Sequence, residues 1–293
     1  MQATPGPSID APTAGRWAPA LAAHASAVAL LAATLEQVVH EATHGVAALL
    51  VGKRWDALHF FACLSTWPAA PSPLGDGVVS GSAALVNIAC ALLSMALLAR
   101  GALARRPLAR LLLFYFAAFS LFAGFGYLMV DPLFFNPAGE NLGDWKKIVA
   151  LLGGGWSARA PIAALGAAGT LWGFFWLPRA ALGFRLEGLA AADQARFLAC
   201  LLIAPYFIVN AVFGVFALWH PLGAAGVVVV LMKGVMGYSA FLWAIFIARS
   251  SRMPRFPAPG AVALPAGISA PWTAISLGLV ALAAGALLPT LWL

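Results

Sequence analysis

His40-Glu41-Ala42-Thr43-His44 fits the pattern H-E-x-x-H. On a helix, residues four apart share one face and lie about 6 Å apart along the axis. Two imidazoles so placed can share one Zn²⁺ with bonds of about 2.0–2.1 Å. Glu41 then stands beside the metal rather than on it. There it can take a proton from a water that the metal polarises and pass it to a leaving amine. With so few His and Glu residues in the chain, the pattern arises by chance in about one such sequence in a thousand. Its setting sharpens it, because the motif lies well inside an apolar stretch, where ionisable groups are costly and mark function. The competing reading is a polar stripe packed against another helix. Glu36, one turn before His40 on the same face, either orients that ring or makes an ordinary interhelical hydrogen bond, as Thr34 and Gln37 would.

Two His do not complete a catalytic zinc site, which uses three protein ligands plus water. His44 lies about eight residues, roughly 12 Å, before the end of its apolar run. The search therefore turns to the acids and histidines on that side of the membrane: His59, Asp76, Asp131, Glu140, Asp144 and His220.

The elements that must position these groups follow from composition. Of the 293 residues, 62% are hydrophobic and 9% charged, far below the roughly one quarter charged that a soluble domain carries. The medium is a lipid bilayer. A span needs about 20 apolar residues, and such runs occur at roughly 21–51, 79–99, 111–130, 160–178, 197–219, 222–248 and 271–292. This predicts an all-α, polytopic bundle of about seven spans. A stretch from Lys146, interrupted by Gly153-Gly154-Gly155, reads as a half-helix or re-entrant segment. A small membrane-associated β-hairpin is expected in 52–78, and residues 1–16, rich in Pro, Ala and Ser, as a disordered tail rather than a signal peptide. One integral membrane domain fills 17–293.

The net charge of +7 comes mainly from Arg in short runs between apolar stretches. These are topology determinants, and without aromatic interleaving they exclude nucleic acid as a partner. With Arg100, Arg105, Arg106 and Arg110 inside, Arg16, Arg179, Arg185, Arg196, Arg249, Arg252 and Arg255 fall on the same side. Lys53, Arg54, Lys146, Lys147 and Arg159 fall outside. The N-terminus is then cytoplasmic and the C-terminus outside, in keeping with a bacterial inner membrane. Cys63, Cys90 and Cys200 form no disulfide framework. Two outside segments, 52–78 and 131–159, are long polar and aromatic mixtures of the kind that tends to be functional.

At this point the chain resembles the site-2 protease family of intramembrane metalloproteases, which carry H-E-x-x-H in a transmembrane helix and a third zinc ligand, an Asp, in a later N-x-x-P-x-x-x-L-D-G-like motif. Phe135-Asn136-Pro137-Ala138-Gly139-Glu140-Asn141-Leu142-Gly143-Asp144-Trp145 keeps an Asn and an Asp eight positions apart. The Pro is shifted, Leu-Asp-Gly is replaced by Leu-Gly-Asp, and Trp145 stands where Gly is expected. The resemblance implies Asp144 as third ligand ahead of Asp131 and Glu140, with Asn136 as a supporting residue. Ser82-Ala83-Ala84-Leu85-Val86-Asn87 is similar to a second family segment that lacks its Gly-Pro here. Asn87 would then bind substrate or the oxyanion, or else make a structural interhelical contact. The resemblance covers roughly 35–145, within a metalloprotease-like core of about 21–150, and leaves the additional helices of about 160–293 without counterpart. No PDZ-sized insertion is present, and the charge rule places the metal nearer the outside, whereas the family holds it towards the cytoplasm.

These readings converge on an intramembrane zinc metalloprotease acting on a transmembrane or membrane-associated protein segment. The alternatives are a non-proteolytic metal-binding carrier, sensor or scaffold, and a zinc hydrolase of a lipid or small amide. The segment 52–78 could pair with an extended substrate strand.

Overall fold

A computed structural model describes residues 17–101, 103–136, 143–186, 193–248, 261–264 and 269–293. The expected tail 1–16 and the alternative ligand Glu140 lie outside them. Among the described residues, seven helices are long and apolar enough to cross a membrane, which is compatible with a multi-pass membrane protein. They are α1 (Trp17–Leu50), α2 (Pro73–Ala99), α3 (Pro107–Leu133), α5 (Trp156–Ala181), the composite span Gln194–Trp219, the composite span Gly223–Ala244 and α10 (Ala270–Leu287).

Ala and Leu, both strong helix formers, dominate α1. It stops at Gly52, whose φ of +84° is the left-handed conformation open to glycine. There Lys53 N–H donates to the Ala48 carbonyl at 2.9 Å and Gly52 N–H to Leu49 at 3.1 Å, the paired bonds of a Schellman stop. The chain then turns into strands β1 (Arg54–His59) and β2 (Ala62–Thr66), the hairpin expected in 52–78. Within the same segment, Pro71-Ser72-Pro73-Leu74 opens α2. Ser72 Oγ accepts from Gly75 N–H at 3.1 Å and Pro73 takes the first helical position, where its missing N–H costs nothing.

Helices α1 and α3 are mostly enclosed by protein, and the other five spans turn most of their apolar surface outward. Leu92, Leu93, Leu165, Phe207, Val228 and Leu282 are among the large exposed side chains. On a soluble surface they would be a liability; against acyl chains they are in their own medium. The core between α3 and the later spans is aromatic. Phe119 stacks on Phe241 at 5.2 Å and meets Tyr238 edge-on at 4.9 Å.

The stretch from Lys146 resolves as a separate short helix, α4 (Asp144–Leu151). It is followed by Gly153 and Gly154, both at positive φ. Both later composite spans contain a π-helical turn. The fifth joins α6 (Gln194–Leu198) to α7 (Ala204–Phe216) through a π-turn at Ala199–Ile203, whose Leu201 carbonyl accepts from Tyr115 Oη at 2.7 Å. The sixth joins α8 (Gly223–Met232) to α9 (Ala240–Ala248) through a π-turn at Lys233–Gly237.

Among the described residues, two small sheets complete the fold. Strand β3 (Phe184–Leu186) pairs in parallel with β4 (Val262–Leu264), and β5 (Leu291–Trp292) pairs antiparallel with β1, giving the order β2-β1-β5. The second pairing brings the end of α10 beside the end of α1. Seven crossings satisfy that geometry and an even number would not.

Gly166, Gly169 and Gly173 on α5 let α3 approach closely: a Cβ at Gly166 would run into the backbone of Leu128 and Met129. Replacing Gly166 with Leu should therefore destabilise the fold by about 1–3 kcal/mol, as overpacking does. Thermal unfolding of the detergent-solubilised chain measures this, and an unchanged midpoint would contradict the packing described.

Candidate metal centre

His40 and His44 stand one turn apart on α1, ring centroids 5.0 Å apart and nearly perpendicular. Asp144, the first residue of α4, reaches between them. Its Oδ2 lies 2.9 Å from His40 Nε2, and its Oδ1 lies 3.3 Å from His44 Nε2. Ligands about 2.0–2.1 Å from one tetrahedral ion stand about 3.3 Å from each other, so the separations suit a shared ion. Asp144 Oδ2 is shielded from solvent, yet for all its closeness to His40 it makes no hydrogen bond of ordinary alignment. The three residues form a group that could hold a metal ion.

Each ligand is held from behind. His44 Nδ1–H donates to the Val79 carbonyl of α2 at 2.7 Å. A carbonyl only accepts, so the proton sits on Nδ1 and the Nε2 lone pair faces Asp144, the tautomer a metal requires. His40 is stacked on Tyr127 at 5.2 Å, and its Nδ1 accepts from Asn87 Nδ2 at 3.0 Å. This puts the His40 proton on Nε2 towards Asp144, a proton that must leave before this nitrogen can ligate a metal. Asn87 also donates to Glu36 Oε1 at 2.7 Å. Glu36 thus reaches His40 through Asn87 and not directly.

Asp144 is placed from α3. The Asp131 carboxylate accepts from Trp145 N–H at 2.8 Å, capping the first turn of α4. Gly143 passes tightly against the same carboxylate: its φ is +121°, and a Cβ there would come within 2.9 Å of Asp131 Cγ. Burial by itself raises the Asp144 carboxyl. The opposing His44 and His40 rings outweigh it and hold the group well below the ordinary carboxylate range.

Glu41 is buried beside this group and is not part of it. Gln37 Nε2 donates to Glu41 Oε1 at 2.8 Å. Gln37 Oε1 in turn accepts from Lys233 at 2.7 Å, and Lys233 also donates to both oxygens of Glu36, at 3.1 and 3.0 Å.

The other residues singled out from sequence have different places. Asp131 caps α4, as described. Asp76 pairs with Lys53 at 2.8 Å and accepts from Trp67 Nε1 at 3.1 Å. His59 and His220 lie with ring centroids 6.1 Å apart, each accepting a backbone N–H two residues on. Neither belongs to the convergent group, although His220 lines a small cavity together with Gln37 and Glu41. Asn136 is exposed at the end of its described segment, outside the convergent group. Asn87 is fully buried behind His40 with its amide engaged by Glu36 and the ring, which is the structural alternative rather than an open donor. Sequence reasoning missed Tyr127, Tyr238 and the Val79 carbonyl. The part of Lys233 does have a sequence signal, since a lone Lys within an apolar run implies a buried partner.

Comparison with protein-family models, with curated proteins and with solved structures returns no match.

His40→Ala and Asp144→Asn should each reduce bound divalent metal after dialysis from about one ion per chain to near none, since three ligands define such a site. Asp76→Asn, which is not one of the three ligands, should leave it unchanged. Equal retention in all three would show that the ion sits elsewhere.

Proposed function

We propose that the chain is an intramembrane zinc metalloprotease that hydrolyses a peptide bond in or near a transmembrane segment of another protein. The observation that carries this reading is the convergence of His40 Nε2, His44 Nε2 and Asp144 with Glu41 buried alongside, inside an apolar helix. Two imidazoles and one carboxylate are a donor set that catalytic zinc sites use. When bound there, zinc acts as a Lewis acid on a scissile carbonyl and makes water acidic.

The chain's own residues do the rest. Glu41 accepts a proton from the attacking water and returns it to the departing amine. Gln37 occupies one carboxylate oxygen of Glu41, which leaves the other for that proton. The Val79 carbonyl keeps His44 in the ligating tautomer. A cavity of about 300 Å³ opens between α3 and the sixth span, lined by Tyr127, Val130, Asp131, Phe134, Lys146 and Lys233 among others. Tyr127 joins it to His40. Its mainly apolar wall suits a hydrophobic segment, and such a helix must be unwound before its carbonyls are accessible.

In the hairpin sheet, β1 is paired on both sides, by β2 and β5, so the free edges are those of β2 and of the two-residue β5, and β2 offers the longer one to an extended substrate. Proline placed at β2 positions whose N–H faces away from β1 should lower turnover while bound zinc stays. Full turnover at every such position would remove the edge from the reading. The bias of Arg towards one side favours a cytoplasmic N-terminus and a site that opens outside.

Glu41→Gln tests the enzyme reading directly. Loss of a general base lowers turnover about 10²–10⁴-fold, and zinc content should stay at the wild-type level. Unchanged turnover of a transmembrane-peptide substrate would rule out proteolysis by this site and favour a carrier, sensor or scaffold.

A further inference from the structure

Lys233 belongs to the half of the chain that the family resemblance does not reach. It opens the π-helical turn of the sixth span, and such insertions recur where a helix must redirect a functional side chain. The turn packs closely on α7, where a Cβ at Gly234 would collide with the Asn210 amide. Its side chain is 10% exposed, and its ammonium meets Glu36, which is fully buried, and Gln37.

Donor and acceptor chemistry makes this contact directional. An ammonium has only donors, so the Gln37 amide must turn its oxygen to Lys233. The amide nitrogen then faces the other way, onto Glu41 Oε1 at 2.8 Å. With Lys233 removed, only the Glu41 carboxylate would still orient the amide, and the Gln37 oxygen would lose its ammonium donor in a buried setting. The side chain would then be free to shift, and the Glu41 carboxylate with it. Glu36 holds Lys233 in place and is itself bound by Tyr238 Oη at 3.2 Å and by Asn87.

We propose that Lys233 is a positioning residue for the Glu41 carboxylate, acting through the orientation of the Gln37 amide. The inference rests on the metalloprotease reading for its purpose and on the hydrogen-bond directions for its mechanism. A plain structural role, an ion pair tying the sixth span to α1, would need Glu36 but not Gln37.

The experiment uses the full chain in detergent, loaded with Co²⁺ in place of zinc, and fluorescein-labelled casein as a turnover probe. Lys233→Met and Gln37→Leu should each keep the wild-type metal content, perturb the visible Co²⁺ bands in the same way and lower kcat at least tenfold with KM unchanged. The double variant should be no worse than either single one, because both remove the same link. Gln37→Leu leaves the Lys233–Glu36 pair intact, so it carries the test if Lys233→Met fails to fold. Wild-type bands and kcat in Gln37→Leu, or losses that add in the double variant, would overturn the proposal. If Glu41→Gln cleaves casein as wild type does, the protease reading falls, and the Co²⁺ bands still decide the positioning role.

Discussion

Within three turns of α1, Glu36, Gln37, His40, Glu41 and His44 are all buried and must find partners within the protein. Unpaired, such groups carry a desolvation cost that a helical bundle cannot absorb. The partners are therefore obligatory, and they arrive from every side: Asn87 and the Val79 carbonyl from α2, Asp144 from α4, Lys233 and Tyr238 from the sixth span. The packing of α1 in the centre of the bundle follows from this need as much as from apolar contact, since lipid offers Ala and Leu almost what protein offers.

The same constraint explains the odd construction around Asp144. An acid presented from a long loop would have too much freedom to face two fixed imidazoles. Here it opens an eight-residue helix whose first turn is capped by Asp131. The second acid thus fixes the backbone so that the first can face the rings. Gly143 makes room for that arrangement. Three adjacent features of the 131–144 segment, which in sequence look like competing ligands and a spacer, have separate jobs in the fold.

The bundle was legible from sequence because a bilayer imposes a length on every apolar run, and the seven runs are separated by Arg, Gly and Pro. The i, i+4 spacing of His40 and His44 was legible for a similarly local reason. The hairpin was expected, but β5 as its third strand was not, because a two-residue strand has no periodicity to detect. Helix α4 is too short for a 3.6-residue period to distinguish it from a broken span. Asp144 was favoured by a family resemblance and not by any local rule. The Val79 carbonyl has no side-chain signature at all. Lys233 and Gln37 are each visible, but nothing local connects residues 196 apart.

That separation has a consequence for how the protein is made. A chain emerges from the ribosome amino end first, so α1 and its polar face must enter the membrane well before the sixth span exists. During that interval Glu36 and Gln37 lack the cation that later links them, and contacts so distant in sequence form slowly. Docking of the sixth span is what brings Lys233 and Tyr238 to Glu36 and Lys233 to Gln37, so the polar face of α1 is completed only after most of the chain has been made.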